Sequence, residues 1–237
     1  KYGIAVQSGT AALHLALKVA GVRENDYVII PNYSCGATIS SVKQCNAIPI
    51  VIDIDPETYG MDVNCLEEVI KKYKIKALQF VHVYGFPALY TEEIVRFCRN
   101  NDIIIIEDAA ESLGAKINGK MAGSIGDISI LSIRSEKMIG VGEGGVLLTN
   151  NYEYYNTALK LASRNAPFRT AESPYWKKYY YEGEGYNYRL PHLLGALAKA
   201  QMERFESEIL PKKIRVGKLY RNILKNNKSV TLQHIVK

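Results

Sequence analysis

The sequence has few cysteines and histidines, four of each, and none is spaced as in a common metal site. The cysteines are Cys35, Cys45, Cys65 and Cys98. They lie too far apart for a CxxC pair, and the histidines form no HExxH motif. We therefore predict neither a metal site nor a disulfide scaffold, and we expect the cysteines to be small buried hydrophobic residues or free thiols.

Long apolar runs are also missing. No stretch approaches the roughly 20 apolar residues that a membrane-spanning helix needs, and the N-terminus has no signal-peptide pattern. The 237 residues, of which 47% are hydrophobic and 23% charged, have the composition of a soluble globular protein. We expect no membrane partner, a cytoplasmic location, and one large domain with or without a small appendage.

Basic residues outnumber acidic ones, and the net charge of +6 raises the question of a nucleic-acid partner. The densest basic stretch, residues 212–228, lacks the interleaved aromatic residues of a base-stacking surface. A solvated helix face explains this stretch better, so we expect no nucleic-acid partner. An anionic substrate would also suit a basic protein.

Apolar strand-like runs alternate with helix-like segments in the first half of the chain. The predicted strands are residues 2–7, 27–31, 48–54, 77–83 and 103–106, and helices are predicted from residue 10, over 62–73 and over 91–100. This βαβ spacing predicts a largely parallel sheet. After residue 151 the pattern changes to a helix at 152–163, a loop at 167–185 and a helix at 192–209.

An acid ends the strand at the centre of the chain. The continuous β-branched run 103–106 predicts a parallel strand covered on both faces, and Glu107 and Asp108 end it. Ligands of open α/β sheets bind beyond the carboxyl ends of strands, so Asp108 is well placed to contact one. An acid in this position is also a common helix N-cap, and the following AAESLGA could be a capped helical turn.

Lys137 lies in a loop between two further apolar strands, 127–133 and 146–149, ahead of the sequence Gly-Glu-Gly-Gly. Glycines allow the backbone to approach a bound group closely, although most loop lysines are simply solvated. Because the glycines follow the lysine, the segment is not a P-loop.

Ser8, Gly9 and Thr10 open the first apolar helix. Backbone N–H groups at a helix start, together with the positive end of the helix dipole, favour a phosphate. An ordinary Ser or Thr cap is the alternative.

Taken together, these motifs resemble the sugar aminotransferases of the DegT/DnrJ/EryC1/StrS family, which are fold type I pyridoxal phosphate enzymes. The matching residues occur in the family's order along nearly the whole chain. They are EDAAESLGA, Ser132, Lys137, GEGG, Thr149-Asn150, and GYNYR before a helix with A-x-x-Q-M-E. The resemblance implies an α/β fold: the large domain of a fold type I transferase, with a mostly parallel central sheet flanked by helices on both faces.

The resemblance also implies pyridoxal 5'-phosphate as the cofactor. Lys137 would form the Schiff base and shuttle the proton during catalysis, and Asp108 would keep the ring nitrogen protonated. Glu111 would contact the phenolic oxygen, although its spacing fits a surface helix acid equally well. The phosphate would be bound by Ser8, Gly9, Thr10 and Ser132.

Two further residues, Asn187 and Cys35, bear on how the implied cofactor site is completed. Asn187 matches a family residue that reaches the cofactor phosphate of the partner subunit, which implies a homodimer with shared active sites. Cys35 occupies the position of a family aromatic that stacks on the ring. Either the stacking is lost or Tyr33 supplies it.

The resemblance further implies a division of the chain. Residues 1–205 would form the cofactor-binding large domain, and residues 206–237 would begin a connecting helix toward a C-terminal small domain that is mostly absent. The N-terminal segment that precedes the first strand in relatives would be absent as well. The pair Tyr175-Trp176 is similar to one in the perosamine synthase members of the family.

The implied reaction is transfer of an amino group from glutamate to a nucleotide-linked 4-keto-6-deoxy sugar, in amino-sugar and surface polysaccharide biosynthesis such as that of lipopolysaccharide O-antigen. Family members that dehydrate carry histidine where Lys137 stands, which speaks against a dehydratase. A non-enzymatic sensor that binds pyridoxal phosphate or a nucleotide sugar would fit Asp108 and Lys137 equally well.

Overall fold

A computed structural model describes residues 1–86, 90–166 and 181–232. Strands and helices alternate along the first half of the chain, as the apolar spacing predicts. Tyr175 and Trp176 lie outside the described residues, as does most of the predicted loop 167–185. None of the helices in the described ranges combines the length and apolar character that a membrane span requires.

The strands are β1 (Tyr2–Val6), β2 (Tyr27–Pro31), β3 (Ile48–Ile52), β4 (Ile75–Val81), β5 (Ile104–Asp108), β6 (Lys116–Ile117), β7 (Lys120–Met121), β8 (Ile128–Ser132) and β9 (Gly145–Thr149). The helices are α1 (Gly9–Val19), α2 (Gly36–Gln44), α3 (Asn64–Lys72), α4 (Thr91–Asn100), α5 (Tyr152–Ala162), α6 (His192–Glu203) and α7 (Leu210–Leu224). A 3₁₀ turn spans Val83–Gly85, and a π-helical turn spans Phe205–Ile209.

Most strands of the main sheet run parallel. Its order is β1-β9-β8-β5-β4-β2-β3. β2 pairs parallel with β3 and β4, β4 with β5, and β5 with β8, whereas β9 runs antiparallel to β8 and β1. The predicted α/β architecture with a mostly parallel central sheet is confirmed.

Both faces of this sheet are covered, as two neighbouring residues of β5 demonstrate. Ile106 belongs to the core that contains Leu13 of α1, and Ile105 belongs to a second core with Leu66 of α3 and Ile94 of α4. Successive side chains of a strand point to opposite faces, so a strand buried on both sides requires a continuous apolar run. Each such side chain contributes about 1.5–3 kcal/mol by burial.

The strand at the centre of the sheet is longer than its apolar run. Glu107 and Asp108 are the last residues of β5, so they end the strand as the sequence predicted. β4 runs beside them, with Phe80 opposite Glu107 and Val81 opposite Asp108. The backbone ladder therefore continues through residues whose side chains are charged.

Three other predicted elements end earlier than the pattern suggests. β3 ends at Ile52 and β4 at Val81. The turn after β4 contains Tyr84 at φ 52. The predicted helix 192–209 is interrupted after α6, where a π-helical turn precedes α7.

A small hairpin of β6 and β7 was not predicted from the sequence. Lys116 pairs with Met121 and Ile117 with Lys120. Between them, Asn118 (φ 48) and Gly119 (φ 80) form a two-residue turn with positive φ at both positions. Asn-Gly between two short strands is a strong hairpin signal, so this element was detectable in the sequence.

The proposed domain boundary between residues 205 and 206 stays a prediction. Phe205 is buried in a third core with Ile133, Ile139 and Leu190. α7, by contrast, has no buried residue among those described.

Candidate active site

A cavity of about 460 Å³ lies at the carboxyl ends of β4, β5 and β8, against the start of α1. It brings together eight residues that the sequence singled out from positions distant along the chain. Those lining it are Ser8, Gly9, Thr10, Cys35, Asp108, Glu111, Ser132 and Lys137. Asp108 and Lys137 thus face the same space, on the side of the sheet where parallel α/β folds bind ligands.

The first turn of α1 offers free N–H groups to this cavity. Ser8 is the N-cap, and its Oγ accepts a hydrogen bond from the Ala11 N–H at 3.1 Å. The N–H groups of Gly9 and Thr10 have no acceptor among the described residues. A Cβ at Gly9 would lie 3.3 Å from the Cβ of Ser132, so glycine allows that side chain to approach. A helix start with free donors beside a hydroxyl suits an anion such as a phosphate.

Glycine at the start of β9 keeps this strand close to α1. A Cβ added to Gly145 would overlap the Ser8 carbonyl group and would lie 2.8 Å from the Gly9 nitrogen. The loop before it folds back on itself, because the Ser135 N–H donates to the Gly142 carbonyl at 3.0 Å. The glycine-rich sequence therefore allows close backbone packing around the loop that carries Lys137.

Lys137 is mostly buried and forms an ion pair in the cavity. Its Nζ lies 2.8 Å from Oε1 of Glu111, and its side chain is 17% exposed. Oε2 of Glu111 accepts a hydrogen bond from the Tyr84 N–H at 2.9 Å. Glu111 therefore connects the turn after β4 to the lysine and fixes the position of the amine.

Asp108 is a buried carboxylate with few partners. Its Oδ1 accepts a hydrogen bond from the Ala110 N–H at 3.0 Å, and this segment forms turns rather than a helix. Asp108 therefore does not cap a helix. Burial raises its pKa to about 6, and the Ala110 hydrogen bond, His82 and Lys137 only partly oppose this effect. A cationic ligand group beside Asp108 would stabilise its charged form.

Glu107 and His82 form a buried pair that was not predicted from the sequence. His82 Nε2 lies 3.0 Å from Oε1 of Glu107, and neither side chain is exposed. His82 also lines the cavity. A polar residue directly after a parallel strand was the available signal, because the same reasoning selected Asp108 at the end of β5.

The carboxylate of Glu107 also accepts four hydrogen bonds from the chain segment before and within β8. The donors are the N–H groups of Gly123 (2.6 Å), Ile125 (2.7 Å) and Gly126 (2.9 Å) and the hydroxyl of Ser129 (2.8 Å). Burial alone would raise the pKa of Glu107, but the hydrogen bonds from His82, Gly126 and Gly123 outweigh it and lower the pKa to about 2.

The sequence also matches a family model over its whole length. Residues 1–237 match the DegT/DnrJ/EryC1/StrS aminotransferase family. The chain belongs to this family.

Individual relatives agree with this assignment. The chain is 35% identical over 234 residues to GDP-perosamine synthase of Escherichia coli O157:H7, covering 99% of this chain and 61% of the relative. A solved DegT DnrJ EryC1 StrS aminotransferase from Brucella abortus superimposes with a TM-score of 0.84 at 28% identity, covering 95% of this chain and 60% of that protein. The chain thus spans about three fifths of the length of these relatives.

A third similar protein was solved with a cofactor. The structure of ntda from Bacillus subtilis with bound cofactor PMP superimposes with a TM-score of 0.83 at 27% identity. It covers the whole of this chain and 52% of that protein. The predicted fold type I transferase architecture is confirmed by these likenesses.

Cys35 and Tyr33, the two residues considered for the ring-stacking position of the family, both line the cavity. Cys35 precedes α2 and makes no side-chain cap hydrogen bond. The hydroxyl of Tyr33 lies 3.2 Å from that of Tyr84, and the two rings are 6.3 Å apart. Tyr33 and Tyr84 thus form an aromatic rim, and the stacking partner of the family stays a prediction.

Asn187 does not line the cavity of its own chain. It pairs with Ser163 in a short antiparallel bridge, and its Oδ1 accepts a hydrogen bond from Nη2 of Arg189 at 3.0 Å. Its role in the site of a second copy stays a prediction.

Proposed function

We propose that this chain binds pyridoxal 5'-phosphate between Asp108 and Lys137, as the cofactor-binding part of an aminotransferase. The observation that carries this proposal is one cavity lined by a buried carboxylate, a half-buried amine and a helix start with free N–H groups. These three features match the three polar ends of the cofactor: the ring nitrogen, the carbonyl carbon and the phosphate.

The donor set of the cavity fits this cofactor. Asp108 is buried with one hydrogen bond from the Ala110 N–H, and a protonated ring nitrogen would supply a cation beside its carboxylate. Such a charge-assisted hydrogen bond is worth about 1.5–3 kcal/mol. The N–H groups of Gly9 and Thr10, with the hydroxyl of Ser132, would bind the phosphate. Glu111 lies beside Lys137 and would contact the phenolic oxygen.

The chemistry divides between the cofactor and the chain. Bound pyridoxal phosphate supplies an electron-accepting ring that weakens the bonds at the amine-bearing carbon of the substrate. Lys137 would hold the cofactor, and its Nζ would be the group that takes the proton from the amine-bearing carbon and returns it. Glu111 holds Nζ in place before the reaction, at 2.8 Å.

We propose glutamate as the amino donor and a nucleotide-linked 4-keto-6-deoxy sugar as the acceptor. The 35% identity to GDP-perosamine synthase supports a sugar nucleotide, and the net charge of +6 suits an anionic substrate. The product would be an amino sugar for a surface polysaccharide such as O-antigen. We also propose a homodimer, in which Asn187 completes the site of the neighbouring subunit. The proposed location is the cytoplasm. No observation favours a non-enzymatic sensor.

The first experiment tests cofactor attachment. Protein incubated with pyridoxal phosphate is expected to show a visible absorbance band, and borohydride is expected to fix the cofactor on the peptide that contains Lys137. Lys137→Ala should lose both signals, whereas Lys120→Ala, an exposed lysine of β7, should keep them. Protein without the band, or with the cofactor fixed elsewhere, would contradict the proposal.

The second experiment tests amino transfer. Incubation with ¹⁵N-labelled glutamate and a panel of keto sugar nucleotides should move the label to one of them. A protein that binds the cofactor but moves no label to any member of the panel would be the sensor rather than the enzyme.

A further inference from the structure

The buried pair of His82 and Glu107 has no role in the reaction proposed above, yet it lies beside the group that would hold the ring nitrogen. His82 directly follows β4, and Glu107 directly precedes Asp108 in β5. All three side chains are at least nine-tenths buried. Burying two carboxylates and an imidazole together is costly unless the groups are paired and hydrogen-bonded.

Glu107 fixes the orientation of the imidazole. Four donors other than His82 hold the carboxylate, so its position is determined independently of the histidine. An ionised carboxylate only accepts hydrogen bonds, so His82 Nε2 carries the proton in this 3.0 Å contact. The ring of Phe80 packs edge-on against the imidazole, with centroids 4.9 Å apart.

The backbone places His82 directly beside Asp108. The His82 N–H donates to the Asp108 carbonyl at 3.1 Å, and the side chains of both residues line the cavity. The charged groups that act on the Asp108 carboxylate are His82, Lys137 and Glu111. His82 and Lys137 favour the ionised form of Asp108, and Glu111 opposes it.

Of His82 and Lys137, only His82 has no other part in the proposed reaction. Lys137 is paired with Glu111 at 2.8 Å in this structure and would attach the cofactor in the proposed function. We propose that the Glu107–His82 pair is a positioning device for Asp108, in which Glu107 orients the imidazole so that His82 favours the ionised carboxylate that binds the ring nitrogen. This inference rests on the proposed function for its ligand, but its main test needs no cofactor.

The main test is the titration of Asp108 in the ligand-free protein. Carbon-13 NMR of protein labelled at aspartate carboxyl groups follows each midpoint, and Asp108→Asn identifies the Asp108 signal by its loss. The wild-type midpoint is expected at about 6. His82→Gln retains an amide donor for Glu107 but no ionisable ring, so we expect the midpoint to rise by about one pH unit. An unchanged midpoint would overturn the inference.

Two further variants separate positioning from general destabilisation. His82→Asn cannot reach Glu107 as the imidazole does, and we expect the Asp108 midpoint to rise here as well. If one His82 variant no longer unfolds cooperatively, the Asp108 midpoint of the other variant decides the test. His14→Gln removes another buried histidine, on α1, and is expected to leave the Asp108 midpoint in place. A rise of equal size in His14→Gln would contradict a specific role of His82.

Pyridoxal phosphate affinity provides the second readout. We expect the affinity of His82→Gln to be about twofold below that of the wild type at neutral pH and about tenfold below it at about pH 5, because less Asp108 is ionised in the variant. If wild-type protein binds no pyridoxal phosphate but the Asp108 midpoint responds to His82, the proposed function fails and the positioning role stands. If wild-type protein binds the cofactor and neither the midpoint nor the affinity changes, the positioning inference alone fails.

Discussion

At the scale of single residues, Glu107 and Asp108 show how hydrogen-bond donors decide whether a buried carboxylate is charged. The two are adjacent in β5 and both are buried. Glu107 accepts hydrogen bonds from five groups, and its pKa is lowered to about 2 despite burial. Burial dominates at Asp108, whose pKa rises to about 6. Glu107 is stable as an anion, whereas a cationic ligand beside Asp108 would stabilise the charged form of that carboxylate.

This contrast predicts how Asp108 affects stability in the ligand-free protein. Because the pKa in the folded state, about 6, is above the ordinary 3.8, the folded chain favours the protonated form. The contribution of protonated Asp108 to the free energy of unfolding is fully present below pH 3.8 and is lost as the pH rises through about 6. Asp108→Asn is neutral at every pH. We expect it to be about 1–3 kcal/mol more stable than the wild type at about pH 7.5, with a smaller difference in acid.

Urea unfolding of both proteins across this pH range measures the difference. Asp102→Asn is the control, because Asp102 is exposed and its φ of 55 suits asparagine; it should leave the pH dependence of stability unchanged. Pyridoxal phosphate should stabilise the wild type more than Asp108→Asn. A wild-type protein that is the more stable of the two at neutral pH without ligand would contradict the reasoning.

At the scale of secondary-structure elements, the site depends on how closely β9 and α1 pack. Gly145 begins β9 against the Ser8 carbonyl, and Ser8 caps the helix whose free N–H groups face the cavity. A methyl group at residue 145 would push the strand and the helix start apart. The proposed phosphate site and the start of β9 therefore depend on the same contact.

We expect Gly145→Ala to destabilise the protein by about 1–3 kcal/mol, as overpacking does, and to weaken pyridoxal phosphate binding. Gly217→Ala is the matched control, because residue 217 lies within α7 and a Cβ there meets nothing within 4 Å. Replacing that helical glycine is expected to stabilise the protein by about 0.5–1 kcal/mol. Thermal unfolding and cofactor titration compare the two. Equal effects of both changes would refute the packing argument.

At the scale of the whole molecule, the cavity joins chain segments that are distant in sequence, and the family resemblance adds a residue from a second copy. Asn187 lies outside the cavity of its own chain, which is compatible with a role in another subunit. A site of this kind would make the dimer the smallest functional unit.

Mixing two inactive variants tests this sharing. Asn187→Ala keeps Lys137 but should hold the cofactor phosphate weakly, and Lys137→Ala cannot fix the cofactor at all. In a mixed dimer, the second subunit would supply Asn187 to the site that retains Lys137. We expect the mixture to fix more cofactor after borohydride than the sum of the separate samples.

Asn222→Ala, at an exposed position of α7, is the control. It should bind pyridoxal phosphate like the wild type, and mixing it with Lys137→Ala should fix no more cofactor than the sum of the separate samples. Size measurement by light scattering should give a dimer for all variants. A monomer that binds the cofactor fully, or a mixture that merely adds the separate signals, would argue against a shared site.

Several features of the whole fold follow from local patterns in the sequence. The continuous apolar run of β5 predicted a strand covered on both faces, because alternation is unnecessary when both sides are buried. The strands up to β5 and helix α4 lie where the pattern placed them, within a few residues. The ends of β3, β4 and α6 did not follow from the pattern, since turns and a π-helical interruption depend on contacts with neighbouring elements.

The sequence by itself determined the type of fold and the family, and it indicated which residues to propose for a phosphate, a ring nitrogen and a carbonyl carbon, because these depend on residue type and order along the chain. Only the tertiary structure decided that Lys137 pairs with Glu111, that Asp108 caps no helix, and that His82 and Glu107 lie buried beside it. Burial, hydrogen-bond partners and the resulting charge states are properties of segments brought together in space, and no local pattern in the chain encodes them.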